Sequence, residues 1–229
     1  HVRMLDRDNL QQQDALGVFG VNLAHGAFHH RDDPRRFIRA LADNLGKERI
    51  EVDMIQFLGA GFEDVDNRIL SLTLVQEGMT NAVVFDSDGN VQQPAEILYK
   101  KAILMERGSF HPVNNVHLNM LECARYRFSS EPDVEDGDVL VLFELNLTTF
   151  GSGDEIDLSD FLARVDALIA LGQTVLISNY FEYYRLSAYF RRYTHKPVGI
   201  VLGISTLADI FNEEYYQSLD GGILESLGR

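Results

Sequence analysis

The chain has 229 residues, of which 45% are hydrophobic, and 35 acidic against 20 basic side chains give it a formal net charge of −15. That length supports one large hydrophobic core, or one core with a small appendage. So acidic a chain argues against a nucleic-acid partner, which calls for a basic face or stripe. A single cysteine, Cys123, excludes an intramolecular disulfide, and no Cys/His pattern has zinc-finger spacing. No apolar run approaches the roughly 20 residues that cross a bilayer, and the N-terminus has no signal-like apolar region. The expectation is a cytoplasmic protein with no membrane partner. The start at His1 rather than a methionine points to a piece of a longer chain.

In chain order, the first apolar run is Val18-Phe-Gly-Val-Asn-Leu-Ala24, read as a strand. A helix is expected over 32–46, with Asp33 as its cap, Pro34 in its first turn and Phe37, Ile38, Leu41 and Leu45 as its apolar stripe. Residues 49–57 form the second strand, and a second helix over 66–78 ends at a glycine. Residues 80–85 are the third strand. Asp86-x-Asp88-Gly89 then offers two readings: the aspartate loop of a haloacid-dehalogenase-like phosphatase, or a turn between extended segments, which we favour.

Residues 101–106 and 138–147 are the fourth and fifth strands. Asp157 caps a strongly striped helix that ends at Gly172, and strands over 174–178 and 197–203 follow, each leading into a helical stretch. Near-continuous apolar strands alternating with helices predict an α/β fold: a mostly parallel, Rossmann-like sheet of about seven strands with helices on both faces. The alternative is a β/α barrel, and in both architectures function sits at the C-terminal ends of the strands. The reading is one α/β domain over 1–229, divisible into N-terminal βα units over 1–100 and a core over 101–229.

The turn after the fourth strand carries the most chemistry. Gly108 directly after a strand lets a ligand approach the backbone, and the free N–H groups of the next helix turn favour an anion. His117, in that first turn, can donate to a phosphate. Gly108-Ser109-Phe110-His111-Pro112-Val113-Asn114-Asn115-Val116-His117-Leu118 resembles the first signature of the nicotinamide mononucleotide adenylyltransferases, in the nucleotidyltransferase superfamily. More widely, the chain resembles segments of larger uncharacterised bacterial cytosolic proteins.

The family resemblance implies a transferase of NAD biosynthesis, in which Gly108, Ser109, Phe110 and Asn114 bind nucleotide and His117 contacts the ATP phosphates. Mg2+ accompanies ATP. Ile204-Ser205-Thr206 echoes the family's second signature and adds Ser205 and Thr206 to the nucleotide site, although Leu207, Ala208 and Asp209 stand where that signature ends in an arginine. Arg107 is the cation placed to neutralise charge. The same residues also read as punctuation, because His117, Leu121, Ala124 and Phe128 share one helical stripe and Asn114 is a good cap.

Two further readings stay open. His25, His29, His30 and His111, with Glu106 and Glu144 at strand ends, converge on a metal if the sheet closes into a barrel, which makes a metal-dependent hydrolase. A non-catalytic nucleotide-binding or regulatory domain is the other. The stretch 179–196, where tyrosines interleave with Arg185, Arg191, Arg192 and Lys196, has the make-up to hold a base and phosphates, with Arg185 as a candidate beside Arg107, but the favoured reading is a helix with its aromatic side inward and its cations solvated.

Overall fold

The structure is a computed structural model that describes residues 1–135, 137–151, 156–216 and 219–228, without the side chains of residues 205, 209 and 227. Strand β1 (Val2–Met4) is followed by helix α1 (Asn9–His29), whose first N–H groups at Leu10 and Gln11 are accepted by the Asp8 side chain at 2.9 and 3.2 Å. The run 18–24 expected as a strand therefore lies inside a 21-residue helix. Ala15, Phe19, Asn22 and Gly26 recur at helical spacing on its inner side, a period that a window opened at Val18 does not reveal.

Helix α2 (Pro34–Ala40) starts as expected, with the Asp33 side chain accepting from Arg36 N at 3.0 Å and Pro34 in the first turn. Strand β2 is only Ile50–Val52 and pairs antiparallel with β1, in a two-stranded sheet apart from the main one. Helix α3 (Asn67–Gln76), capped by Asp66, presents Leu70 and Leu74 to the core formed with Phe19, Phe37, Ile38 and Ile50. Its Leu72 and Val75 face the main sheet, so α3 joins the two cores.

The main sheet comprises β3 (Ala82–Phe85), β4 (Val91–Gln92), β5 (Ala102–Arg107), β6 (Val139–Asn146), β7 (Thr174–Ser178) and β8 (Val198–Val201). Among the described residues its order is β4-β3-β7-β6-β5-β8. Strands β7, β6, β5 and β8 run parallel, whereas β3 is antiparallel to both β7 and β4. The sheet is thus mixed and six-stranded, rather than a sheet of about seven, and it is open, with β4 and β8 as edges. The barrel expectation falls with that result.

The Asp86–Asn90 segment is the hairpin turn between β3 and β4: the Asp86 carboxylate accepts the N–H groups of Asp88 and Asn90, both at 2.9 Å, and Gly89 has φ +83°. That local use of Asp86 sets the antiparallel edge.

After the short helix α4 (Pro94–Ile97), helices α5 (Asn115–Phe128) and α6 (Leu158–Ile169) cover one sheet face, where Leu121, Phe128, Phe161 and Val165 pack with Leu104, Phe143, Leu145 and Val175. Helix α7 (Tyr183–Phe190) covers the other face, where Leu186, Tyr189 and Phe190 pack with Ile103, Met105, Leu142 and Leu176. The rings of α7 point inward and Arg191 and Arg192 stay exposed, as the sequence suggested.

The path from β5 through β6 to β7 steps one way along the sheet, and β8 then returns to the far side of β5. Keeping the right-handed crossover while reversing direction requires the connecting helix to change face, and α7 does so. Helices α8 (Ile204–Ile210) and α9 (Gly222–Gly228) complete the chain. No helix among the described residues is long and apolar enough to cross a membrane.

Candidate functional site

The C-terminal ends of β5 and β6 carry a buried ion pair that their parallel register makes possible. Arg107 and Glu144 are direct neighbours across the two strands. The guanidinium holds both carboxylate oxygens, Nε to Oε2 at 2.5 Å and Nη2 to Oε1 at 2.8 Å. Glu144 is fully buried, and its Oε1 also accepts from the Ser178 hydroxyl at the end of β7. Arg107 donates further to the carbonyls of Tyr180 (2.8 Å) and Phe181 (2.7 Å), so four of its five N–H groups are engaged. Burial alone would lower the Arg107 pKa, but the Glu144 carboxylate reverses this and the net shift is upward.

Asn146, two residues after Glu144, closes the network. Its amide donates to the Tyr180 carbonyl at 2.7 Å, and its oxygen accepts from Thr148 N and Oγ1 at 3.0 and 2.8 Å. The loops after β6 and β7 are therefore pinned to each other and, through Arg107, to the end of β5.

Beyond these strand ends lies a cavity of about 260 Å³. Arg107, Asn146 and Thr148 form its floor on the strand side, and Phe181, Tyr183 and Tyr215 supply three aromatic rings. Thr206 and Ile210 of α8 contribute the side nearest β8. The Arg107 guanidinium lies 4.3 Å from the centre of the Tyr183 ring, a cation–π stack that fixes both. The Tyr215 hydroxyl donates to the Phe181 carbonyl at 3.0 Å, and desolvation pushes its pKa up to about 12, so it stays a phenol at neutral pH.

Of the residues singled out from sequence, Arg107 and Thr206 thus meet on one cavity, about a hundred positions apart in the chain. Ser205 precedes Thr206 on α8, but its side chain lies outside the described residues. Gly108, Ser109, Phe110, Asn114 and His117 form a compact turn beside the cavity. Phe110 is buried, with φ +46°, and its ring folds back over Gly108 and stands edge-on to His117 (centroids 5.2 Å) and Phe143 (5.1 Å).

The Asn114 side chain caps α5 by accepting from Val116 N and His117 N at 2.9 and 3.3 Å, and His117 Nδ1 accepts from Asn114 N at 3.2 Å. Arg164 of α6, paired with Asp160, donates to the Ser109 and Thr149 carbonyls, both at 3.2 Å, and ties this turn to the loop after β6.

Gly108 is required by that arrangement. A Cβ on it would stand 2.8 Å from the Phe110 ring, so Gly108→Ala is expected to cost about 1–3 kcal/mol, whereas Ser109→Ala, on an exposed residue, stays within about 0.5 kcal/mol. Urea unfolding of the two variants measures the contrast.

The remaining candidates separate. His25, His29 and His30 sit in the last turns and C-cap of α1, because the run 18–24 that they follow is helix rather than strand, and His111 pairs with Asp160 at 3.0 Å. Glu144 is committed to Arg107. Among the described residues no group of three or more His, Cys, Asp or Glu side chains is placed to hold a metal, so the convergence proposed for a hydrolase does not form. Arg185 is exposed and lies 3.5 Å from Glu182.

Glu106, on the opposite face of β5 from Arg107, is 2% exposed, and its Oε2 has no hydrogen-bond partner among the described residues. Desolvation raises its pKa to about 7. Phe181 and Tyr183 fall in the aromatic and basic stretch 179–196, whose less favoured reading was a platform for a base, whereas nothing in the sequence pointed to Tyr215 as a cavity wall.

Compared with known proteins, the chain matches no family model, no curated protein and no solved structure.

Proposed function

We propose that the cavity beyond β5, β6 and β8 takes a nucleotide-class ligand, and that the reaction is transfer of an adenylyl group from ATP to nicotinamide mononucleotide or a related mononucleotide. The observation that carries this reading is that Arg107 and Thr206 line one cavity together with the rings of Phe181, Tyr183 and Tyr215. Aromatic faces with a few convergent hydroxyl, amide and cationic groups suit a planar base and its sugar. The volume is near the lower bound of about 300 Å³ for small-molecule sites, which fits part of a nucleotide rather than the whole of ATP.

Strand order gives a second support. Numbered by appearance, the four parallel strands lie third, second, first, fourth, the first four places of the 3-2-1-4-5-6 order of a doubly wound nucleotide-binding sheet. In that arrangement the ligand sits at the turn after the first of these strands, which here is Gly108 to His117. The resemblance of that segment to the adenylyltransferase signature falls on the same place.

The reaction needs no protein nucleophile. An oxygen of the mononucleotide phosphate attacks the α-phosphorus of ATP, the bond to the β-phosphate bridge breaks and pyrophosphate leaves, so the protein's task is alignment. In this reading Arg107, its charge balanced by Glu144, is a positioning residue that sets the cavity wall. Asn146, Thr148 and Thr206 supply hydrogen bonds, and Mg2+ enters on the ATP phosphates rather than in a protein cage.

Isothermal titration with ATP·Mg2+ and with nicotinamide mononucleotide tests the reading. Binding is expected, weakened at least tenfold by Tyr183→Ala and severalfold by Thr206→Val. No binding by folded wild type at millimolar ligand sinks it. Binding without pyrophosphate release would instead assign the non-catalytic role, which the paired state of Arg107 and the presence of Leu207, Ala208 and Asp209 where the signature ends in an arginine favour as the second reading.

A further inference from the structure

A second cavity lies at the opposite end of the sheet, where the chain enters β5 and β8: Lys101 precedes Ala102, and Lys196 and Pro197 precede Val198. Its volume is about 620 Å³, inside the range of about 300–1,000 Å³ for small-molecule sites. Tyr99, Lys100, Arg192, Tyr193, His195 and Lys196 line it, with Asp133 as the acidic side chain among them. In a chain of net charge −15 the balance here is reversed. Segments 99–101 and 191–196 bring together Lys100, Lys101, Arg191, Arg192, His195 and Lys196 and contain no acidic residue.

The cations on the wall are weakly committed within the chain. Lys196 stands 3.4 Å from Glu135, whose side chain is 75% exposed, and Arg192 stands 3.6 Å from Glu51, which Arg3 approaches more closely. Neither is a close pair, and the solvent-screened one contributes little. Lys100 and His195 have no carboxylate partner among the described residues. The backbone beneath them is fixed: the buried Thr194 hydroxyl donates to the Lys101 carbonyl at 2.7 Å and accepts from Lys196 N at 3.1 Å, while Lys100 N donates to the Tyr193 carbonyl at 3.3 Å. Lys100 itself is held at φ +56°, with its Nζ 5.0 Å from the centre of the Tyr99 ring. A left-handed turn favours glycine or asparagine, so the fold accounts for the turn and not for the lysine. A lysine kept in that conformation on a cationic cavity wall points to a ligand.

We infer that this cavity binds a small molecule through a diphosphate-type group. Lys100, Arg192 and Lys196 supply positive charge and His195 a ring N–H, against the carboxylate of Asp133, so the wall attracts a compact anion of two or more charges. A monocarboxylate would leave most of these donors unused. Tyr99, 58% exposed, adds a ring at the edge of the site. Arg107 and its cavity stand at the far end of β5, so this inference is independent of the ligand proposed above.

Titration of the intact chain with inorganic pyrophosphate at neutral pH and low salt tests it, read on the ring-proton NMR signals of His195, which are identified by their loss in His195→Gln. A saturating shift is expected, with a midpoint at or below about 1 mM. Lys100→Glu is expected to raise that midpoint at least tenfold. Lys100→Gly is expected to raise it severalfold while the protein becomes no less stable in urea, because glycine suits the turn. Tyr183→Ala, at the other cavity, leaves the midpoint unchanged. ADP in place of pyrophosphate separates two sources of the same group: tighter binding assigns an organic diphosphate with its ring on Tyr99, equal or weaker binding assigns the free anion, and both support the site. No saturating shift by about 10 mM, a midpoint insensitive to Lys100→Glu, or one that moves with Tyr183→Ala overturns the proposal. So does a Lys100→Gly protein that unfolds more readily, since the lysine would then have a structural role.

Discussion

Arg107→Ala is expected to destabilise the protein by about 3–5 kcal/mol, the range for removing one partner of a buried ion pair. Glu144 is completely enclosed, and without Arg107 its two oxygens keep, among the described residues, the Ser178 hydroxyl alone. The carbonyls of Tyr180 and Phe181 each lose one of two donors in the same step, keeping the Asn146 amide and the Tyr215 hydroxyl. The loss arises mostly from the charge left behind rather than from the attraction removed. A double variant, Arg107→Met with Glu144→Leu, is therefore expected to recover much of it.

Arg107→Lys is expected to fall between, because an ammonium reaches one oxygen but cannot span the carboxylate and two carbonyls as the planar fork does. Urea unfolding at pH 7 orders the four proteins. A cost below about 1 kcal/mol for Arg107→Ala, the scale of a solvent-screened surface pair, would show that Glu144 is hydrated in the variant and that the pair does not organise the strand ends.

That pair also marks where sequence reading stops. Arg107 was legible as a cation at a strand end, and Glu144 was visible at a neighbouring one. That they bond each other depends on the register of β5 against β6, which no local pattern encodes. Tyr215 reaches the cavity from beyond the last strand, so its role is a property of the folded chain alone.

Local signals did better. Asp33 and Asp157 were readable as caps because a short side-chain oxygen precedes an apolar periodicity, and each accepts first-turn N–H groups. Strands β5, β6 and β7 were legible from their unbroken apolar runs, which the covered sheet requires. The run 18–24 was not, since a short apolar stretch is shared by a buried strand and a helix. Here the helix shows part of that apolar surface to water, contrary to what either pattern implies. The Gly108–His117 turn was found, and part of its pattern has a local cause: Asn114 and His117 are three apart because each bonds the other's backbone N–H.

The second large effect is on pH dependence, through Glu106. Its side chain shares the sheet face of Leu104 and lies between Phe143 and Val201 on the flanking strands, with one oxygen unpartnered. Desolvation disfavours its charged form and sets the folded pKa at about 7, against 4.5 for an ordinary glutamate. Between those values the folded protein keeps a proton that the unfolded chain has released. The contribution to stability is therefore fully present below pH 4.5 and is lost as pH rises through about 7.

A shift of this size corresponds to roughly 3 kcal/mol at 1.36 kcal/mol per pH unit. Asp53, whose pKa burial also raises, adds a slope of the same sign, whereas Asp66, Glu77 and Asp160, held low by their arginines, act oppositely. The diagnostic quantity is thus the difference between wild type and Glu106→Gln, whose amide keeps the shape and never ionises. Relative to that variant, wild type is expected to lose roughly 2–3 kcal/mol between pH 4.5 and 8 in urea unfolding, while the two stay parallel below pH 4. A flat difference across that range would mean that Glu106 is ionised and solvated in the folded protein, and would remove it as a neutral carboxyl at the base of the Gly108 turn.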